Sequence, residues 1–335
     1  MNEDARVSDA RCQTIGFVLL PGFALMSFAA ASEPLRAANI LAGRPVYAVE
    51  CFSAAGGPAR ASSGAIVETR PLREAGGKLF ALLVCAGGEP RDWQDRQLPT
   101  ELRRLARSGL RLGGISGGAY VLAEAGLLAR RTFTIHWEHA AALKEAFPDL
   151  DPTPSRYVID RDRLTCGGGV APLDMMHALI AERMGPAFAR RVSDWFLHTA
   201  IGEAAGPQRG SVAERYGTHH PALVAALERL ESAIETPPSR AELARLAGVS
   251  PRQLQRLFAS HLGRGIVDVS QEIRLAEAMR LLRQSPLSIA EIAVATGFAN
   301  ASHFARAVRA ATGQTPTALR KAGTFLPVES PSPGR

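Results

Sequence analysis

Ser239–Arg240–Ala241–Glu242–Leu243–Ala244–Arg245–Leu246–Ala247–Gly248–Val249–Ser250 runs directly into a second helical pattern, Pro251–Leu262. The form returns at Ser288–Ile289–Ala290–Glu291–Ile292–Ala293–Val294–Ala295–Thr296–Gly297–Phe298, which runs into Ala301–Thr312. Each copy reads as a short helix, a turn through a glycine, and a second helix carrying arginine. That is the form of a helix-turn-helix, whose second helix enters a DNA major groove. Two copies in tandem predict an all-α, sequence-specific DNA-binding domain.

The charge distribution agrees. From Pro237 to Phe325 there are eleven Arg and one Lys against five Asp and Glu, a surplus of seven, while the formal net charge of all 335 residues is also +7. The repeat-bearing region therefore holds the whole excess, as expected when that domain alone meets a polyanion. The length predicts two domains. An apolar content of 46% is enough for packed cores and excludes a disordered chain. Met1–Ala10 is polar and acidic, and Ile15–Leu20 is too short for a targeting core, so a cytoplasmic location is expected. No run is long enough to span a bilayer, so no membrane partner is expected. Cys12, Cys51, Cys85 and Cys166 are widely separated, without metal-ligand spacing, and are expected as reduced thiols. No cofactor is called for.

Ahead of the repeats, strand and helix signals alternate. Ile15–Leu20, Val46–Phe52, Leu79–Cys85 and Leu110–Ile115 read as strands, with helices over 28–41, 98–108, 119–127, 138–147, 171–183 and 186–199. Ala65–Glu68 reads as an edge strand. Arg156–Ile159 and Leu164–Cys166 read as a hairpin turning at Asp160–Asp162. Such alternation predicts an α/β sandwich on a flavodoxin-like, mainly parallel sheet, with ligands at the carboxyl ends of the strands. Pro21–Gly22, Gly87–Gly88 and Gly114–Ile115–Ser116–Gly117–Gly118 all fall at such ends. The last fits G-x-S-x-G, a nucleophile elbow, and its backbone amides are candidates for an anion or oxyanion site.

Gly113–Leu128, Thr134–Glu138, Leu164–Gly168 and Ser32–Asn39 closely resemble the class I glutamine amidotransferase-like (PfpI-type) domain of GlxA-type regulators. The tail resembles the AraC family through Thr296–Gly297–Phe298, Ser302–His303–Phe304, Arg306, Gly313 and Thr315–Pro316. The resemblance implies an amidotransferase-like sensing domain over 14–202, a linker over 203–221, and an AraC-type DNA-binding domain over 222–322. Its helix-turn-helix units would lie at about 239–262 and 287–313, followed by a disordered tail at 323–335.

Catalytic relatives carry a cysteine at the elbow and an acidic residue just after the first strand. Here the positions hold Ser116 and Ser27. A serine needs a general base in reach, where a low-pKa thiolate does not. The domain is therefore expected to be catalytically silent, with Ser116 and His136 as vestiges. The alternative is an amidase- or hydratase-like enzyme using Ser116 with His136, tethered to DNA. The resemblance implies a small metabolite in the same cleft, of amino-acid or quaternary-ammonium type. Glu33, Gly87, Gly88, Ser116, Gly117, His136, Trp137 and Glu138 are its expected contacts. Trp137 would offer an aromatic face to a cationic head, Glu138 or Glu33 a counter-charge, and the glycine amides a carboxylate site.

In the first unit Ser250 is the expected N-cap, with Pro251 at the first helical position. Arg252, Gln255 and Arg256 match the family's DNA-contacting positions. In the second, Asn300 is the expected N-cap, and Ala301, Ser302, His303 and Arg306 match, with Arg309 as a phosphate contact. Val308 and Thr312 stand where the family carries aromatic residues, so this unit is expected to pack less tightly or read fewer bases. The expected partners are double-stranded promoter DNA, a small-molecule effector, RNA polymerase and a second copy of the chain as a homodimer. The resemblance implies a metabolite-controlled transcription regulator that acts as an activator.

Overall fold

The computed structural model describes residues 11–93 and 95–322; the tail expected to be disordered, 323–335, lies outside the described residues. The chain divides into two compact units, and the division falls between Gln208 and Arg209.

The first unit is built on one eight-stranded sheet. Its strands are β1 (Gln13–Leu19), β2 (Tyr47–Ser53), β3 (Gly57–Arg60), β4 (Ile66–Pro71), β5 (Leu79–Ala86), β6 (Arg111–Ser116), β7 (Tyr157–Asp160) and β8 (Arg163–Cys166), in the order β3-β4-β2-β1-β5-β6-β8-β7. The core strands pair in parallel, and only β3 with β4 and β7 with β8 run antiparallel. Helices α1 (Leu25–Ala42), α5 (Ala171–Met184) and α6 (Pro186–Trp195) cover one face. Helices α2 (Leu98–Arg107), α3 (Gly118–Glu124) and α4 (Ala140–Ala146) cover the other. This explains the unbroken apolar runs of β1 and β5. Phe17 and Leu83 enter the first core, Val18 and Leu82 the second, so both faces of each strand need apolar side chains.

Several boundaries moved, two of them for a clear local reason. Helix α4 starts at Ala140 rather than Glu138, because His136–His139 closes as a turn, with the His139 amide donating to the His136 carbonyl. Helix α6 stops at Trp195 rather than Thr199, because Leu197 takes a left-handed φ of 56°.

The second unit is helical. It comprises α7 (Val212–Tyr216), α8 (Pro221–Ser232), α9 (Arg240–Leu246), α10 (Pro251–Leu262), α11 (Ile266–Gln284), α12 (Ile289–Ala295), α13 (Ala301–Thr312) and α14 (Pro316–Ala322). Leu223, Ala226, Leu227 and Leu230 of α8 form an apolar stripe, and it packs on Leu243, Leu254 and Phe258 of the first helix-turn-helix.

Helix α7 lies inside the stretch read as a linker. A reciprocal Ser211–Glu214 capping box starts it. Arg215 grips Glu231 of α8 with two hydrogen bonds of 2.6 Å. Its polar composition hid it, because its stability comes from a cap and an ion pair rather than an apolar period. Helix α11 starts at Ile266, because Ile266 and Val269 bury among Leu243, Leu254 and Phe258 of the first helix-turn-helix.

Candidate effector cleft and nucleic-acid interface

The chain order of the sheet reverses between β1 and β5: the connection from β1 leads outward to β2, and that from β5 leads the other way to β6. Ligands of open α/β sheets bind outside the strand ends at this point. A cavity of about 420 Å³ lies there, lined by Pro21 and Gly22 after β1, Gly87 and Gly88 after β5, and Arg60 and Asp92. Gly87 and Gly88 are thus the members of the expected contact set that line it. Arg60 and Asp92 were not legible in the sequence, because they come from β3 and a short 3-10 turn, elements with no motif. The two are not ion-paired to each other among the described residues, so the cavity carries one cation and one anion.

Beside this cavity stands the elbow. Ser116 ends β6 with a left-handed φ of 58°, a strained conformation for a non-glycine residue. The turn is packed to contact: a Cβ on Gly117 would collide with the Trp93 ring, and one on Gly118 with the Val84 carbonyl. Buried Trp93 bridges the two strand-end turns, donating its indole N–H to the Gly87 carbonyl at 2.7 Å. The Gly117 amide donates to the Ala86 carbonyl at 3.3 Å, so Gly117 contributes close approach rather than a free donor for a carboxylate.

Above Ser116 lies the Gly167–Gly169 loop. A Cβ on Gly168 would come within 2.7 Å of the Ser116 Cβ. Ser27, standing where catalytic relatives carry an acid, is buried and accepts the Gly169 amide at 2.8 Å. The nearby thiol of Cys166 is fully buried. Burial pushes its pKa up to about 12, against the opposing effect of the Gly168 and Ser116 amides, so it stays protonated.

His136 reaches the elbow through its backbone: its amide faces the Ser116 carbonyl at 3.4 Å. Its ring lies 5.4 Å from that of Trp137 and 5.7 Å from that of His139. His136, Trp137 and Glu138 are all half-buried. Glu33 stands apart from the expected set. It sits in the middle of α1 and pairs with Arg36 at 2.6 Å.

Gln208 was missed altogether. Its Oε1 accepts the Trp137 amide at 2.8 Å, and its Nε2 donates toward Thr134 Oγ1, the Ile135 carbonyl and the Ser155 carbonyl at 2.9, 2.9 and 2.7 Å. It thereby holds the 134–137 segment from below. A lone glutamine in a polar stretch carries no sequence signal of this.

In the second unit the caps are as read. Ser250 accepts the Gln253 amide and Gln253 returns to the Ser250 amide, with Pro251 first in the helix. Gln253 is thus used by the cap. Arg252, Gln255 and Arg256, spaced three and four apart on one helical face, remain exposed. Asn300 caps α13 by accepting the His303 amide at 2.8 Å. Ser302, His303, Arg306 and Arg309 are exposed, and Ala301 is half-buried. Arg252, Arg256, Arg306 and Arg309 take part in no ion pair among the described residues. Val308 is fully buried, while Thr312 stays exposed and bonds back to the Val308 carbonyl.

A parallel α/β unit followed by two capped helix-turn-helix units with exposed arginines defines a DNA-binding transcription regulator. The comparisons with known proteins agree. The DJ-1/PfpI family model matches residues 13–182, and a helix-turn-helix domain model matches 243–322. The chain is 60% identical over 319 residues to the HTH-type transcriptional regulator GlxA of Rhizobium meliloti (strain 1021), covering 95% of this chain and 98% of the relative. It is 40% identical over 320 residues to the HTH-type transcriptional regulator CdhR of Pseudomonas aeruginosa, covering 96% and 94%. The crystal structure of an AraC family transcriptional regulator from Pseudomonas putida superposes with a TM-score of 0.50 at 28% identity, covering 55% of this chain and 99% of that one. The chain belongs to the GlxA-type family of HTH-type transcriptional regulators, with a DJ-1/PfpI domain in front. No helix among the described residues is long and apolar enough to cross a membrane.

Proposed function

We propose that the first unit senses a small metabolite without transforming it, and that the second carries the response to a promoter. The effector is an amino acid or a quaternary-ammonium carboxylate. Its carboxylate meets Arg60 and the Gly87–Gly88 backbone, and its cationic end meets Asp92, with Trp137 and Glu138 closing the neighbouring side. Arg252, Gln255 and Arg256 read one groove segment; Ala301, Ser302 and His303 read the next, and Arg306 and Arg309 clamp phosphate. The protein acts in the cytoplasm as a homodimer, recruits RNA polymerase, and activates.

The observation that carries the non-catalytic reading is the surroundings of Ser116: a neighbouring thiol held protonated by burial, and Ser27, at the position of the relatives' acid, engaged with Gly169. Thermal unfolding of the full-length protein against amino acids, betaines and polyamines tests the sensor role. An effector at one hundred times its Kd should add about 2.7 kcal/mol of stability. The Ser116→Ala variant should keep that shift and its effector-dependent transcription. Loss of the response together with loss of a measurable amidase turnover would establish the enzyme instead.

A further inference from the structure

Helix α11 holds the two helix-turn-helix units by different means. Toward the first it is apolar: Ile266 and Val269 lie in one cluster with Leu243, Leu254 and Phe258. Its far half buries Ala278, Leu281 and Leu282. Between the two stretches stands Arg274. Its Nε donates to the Thr296 carbonyl at 2.8 Å and its Nη2 to the Gly297 carbonyl at 2.6 Å. The guanidinium lies 4.4 Å from the centroid of the Phe298 ring. These three residues open the turn, Thr296–Asn300, between α12 and α13.

That turn is braced from behind as well. A Cβ on Gly297 would lie 2.6 Å from the Ile234 carbonyl and 2.9 Å from that of Glu235, in the segment that leads from α8 into the first unit. The turn is therefore gripped between the connecting helix on one side and the approach to the first unit on the other.

Resting on the reading that both units enter DNA, we infer that Arg274 is a positioning residue that sets the separation and phase of the two reading helices, and thereby the number of base pairs the protein accepts between its two sub-sites. A planar guanidinium satisfies two successive carbonyls and covers a ring at once. A lysine ammonium keeps the charge but has no planar fork with which to do so. The aliphatic anchors of α11 tie each unit to the helix, and this contact sets how the second turn is rotated against it.

Selection of binding sites from a random-sequence duplex library by the full-length protein tests this. Wild type should return two sub-motifs at one spacing, with insertion of a single base pair costing about tenfold or more, the scale of one mismatch. R274K should return the same two sub-motifs over several spacings, with the insertion costing less than about threefold. F298L, which keeps both carbonyl bonds and an apolar side chain, should fall between them. A wild-type spacing profile in R274K would overturn the inference, as would equal weakening at every spacing, which is what general destabilisation of the unit produces. If R274K fails to show a folded circular-dichroism melt, F298L decides, and a wild-type spacing profile there overturns it.

Discussion

The two helix-turn-helix units share a backbone plan but not its support. Each has a left-handed glycine in the turn, Gly248 at φ 67° and Gly297 at φ 70°. Around Gly248 a Cβ would meet nothing within 4 Å, whereas around Gly297 it would meet the Ile234 and Glu235 carbonyls. The first unit closes a core of its own with α8. The second is braced at its turn by Arg274 and by the Ile234–Pro237 segment. Duplicated sequence motifs thus carry different loads: the first copy is held by its own packing, the second also by its neighbours.

Alanine at the two glycines probes this contrast most strongly. Gly248→Ala meets only the left-handed backbone penalty, about 1–2 kcal/mol. Gly297→Ala meets the same penalty plus a collision with backbone that has no room to retreat, and should cost more than about 2 kcal/mol. Urea unfolding of the full-length protein measures both. Equal losses would mean that the second turn is as free as the first.

Next in size are the caps. Ser250→Ala removes one half of a reciprocal pair and should cost about 1 kcal/mol; Asn300→Ala removes a single cap bond and should cost less, though in the same range. Amide hydrogen exchange in the first turns of α10 and α13 reads these losses locally. A larger effect at Asn300 would reverse the ranking of the two units.

The smallest expected effect is one the units should share. Glu242 and Glu291 each accept the amide of their capping serine, Ser239 and Ser288, and those bonds hold both carboxyl groups below the ordinary range. A lowered folded-state pKa gives a contribution that is present above the unfolded value, about 4.3, and is lost as pH falls through the folded one. Melting temperature should therefore decline in this acidic window, with Glu242→Gln and Glu291→Gln equally insensitive to it. Unequal responses would show that even the helix starts differ in load.

Much of this was legible in advance. The apolar runs of β1 and β5 and the Ser250 and Asn300 caps are local signals with a fixed period or a fixed offset, and they appear as read. What escaped has its cause in tertiary contact. Helix α7 depends on Glu231 of another helix, and the start of α11 depends on the core waiting for Ile266. In the candidate cleft the glycine turns announced themselves, but Arg60, Asp92 and Trp93 reach it from loops and an edge strand, where no spacing rule operates. Glu33 lies inside α1, which begins at Leu25, and pairs with Arg36 one turn further on.

Gln208 sets a practical limit on dissecting the chain. It is the last residue of the first unit, and its amide group answers for the Trp137 N–H and for the carbonyls of Ile135 and Ser155. A sensor fragment cut at residue 202 or 205 would strip these partners away just where the effector is expected, and would report on a damaged floor. A fragment carried through Arg209 keeps it whole.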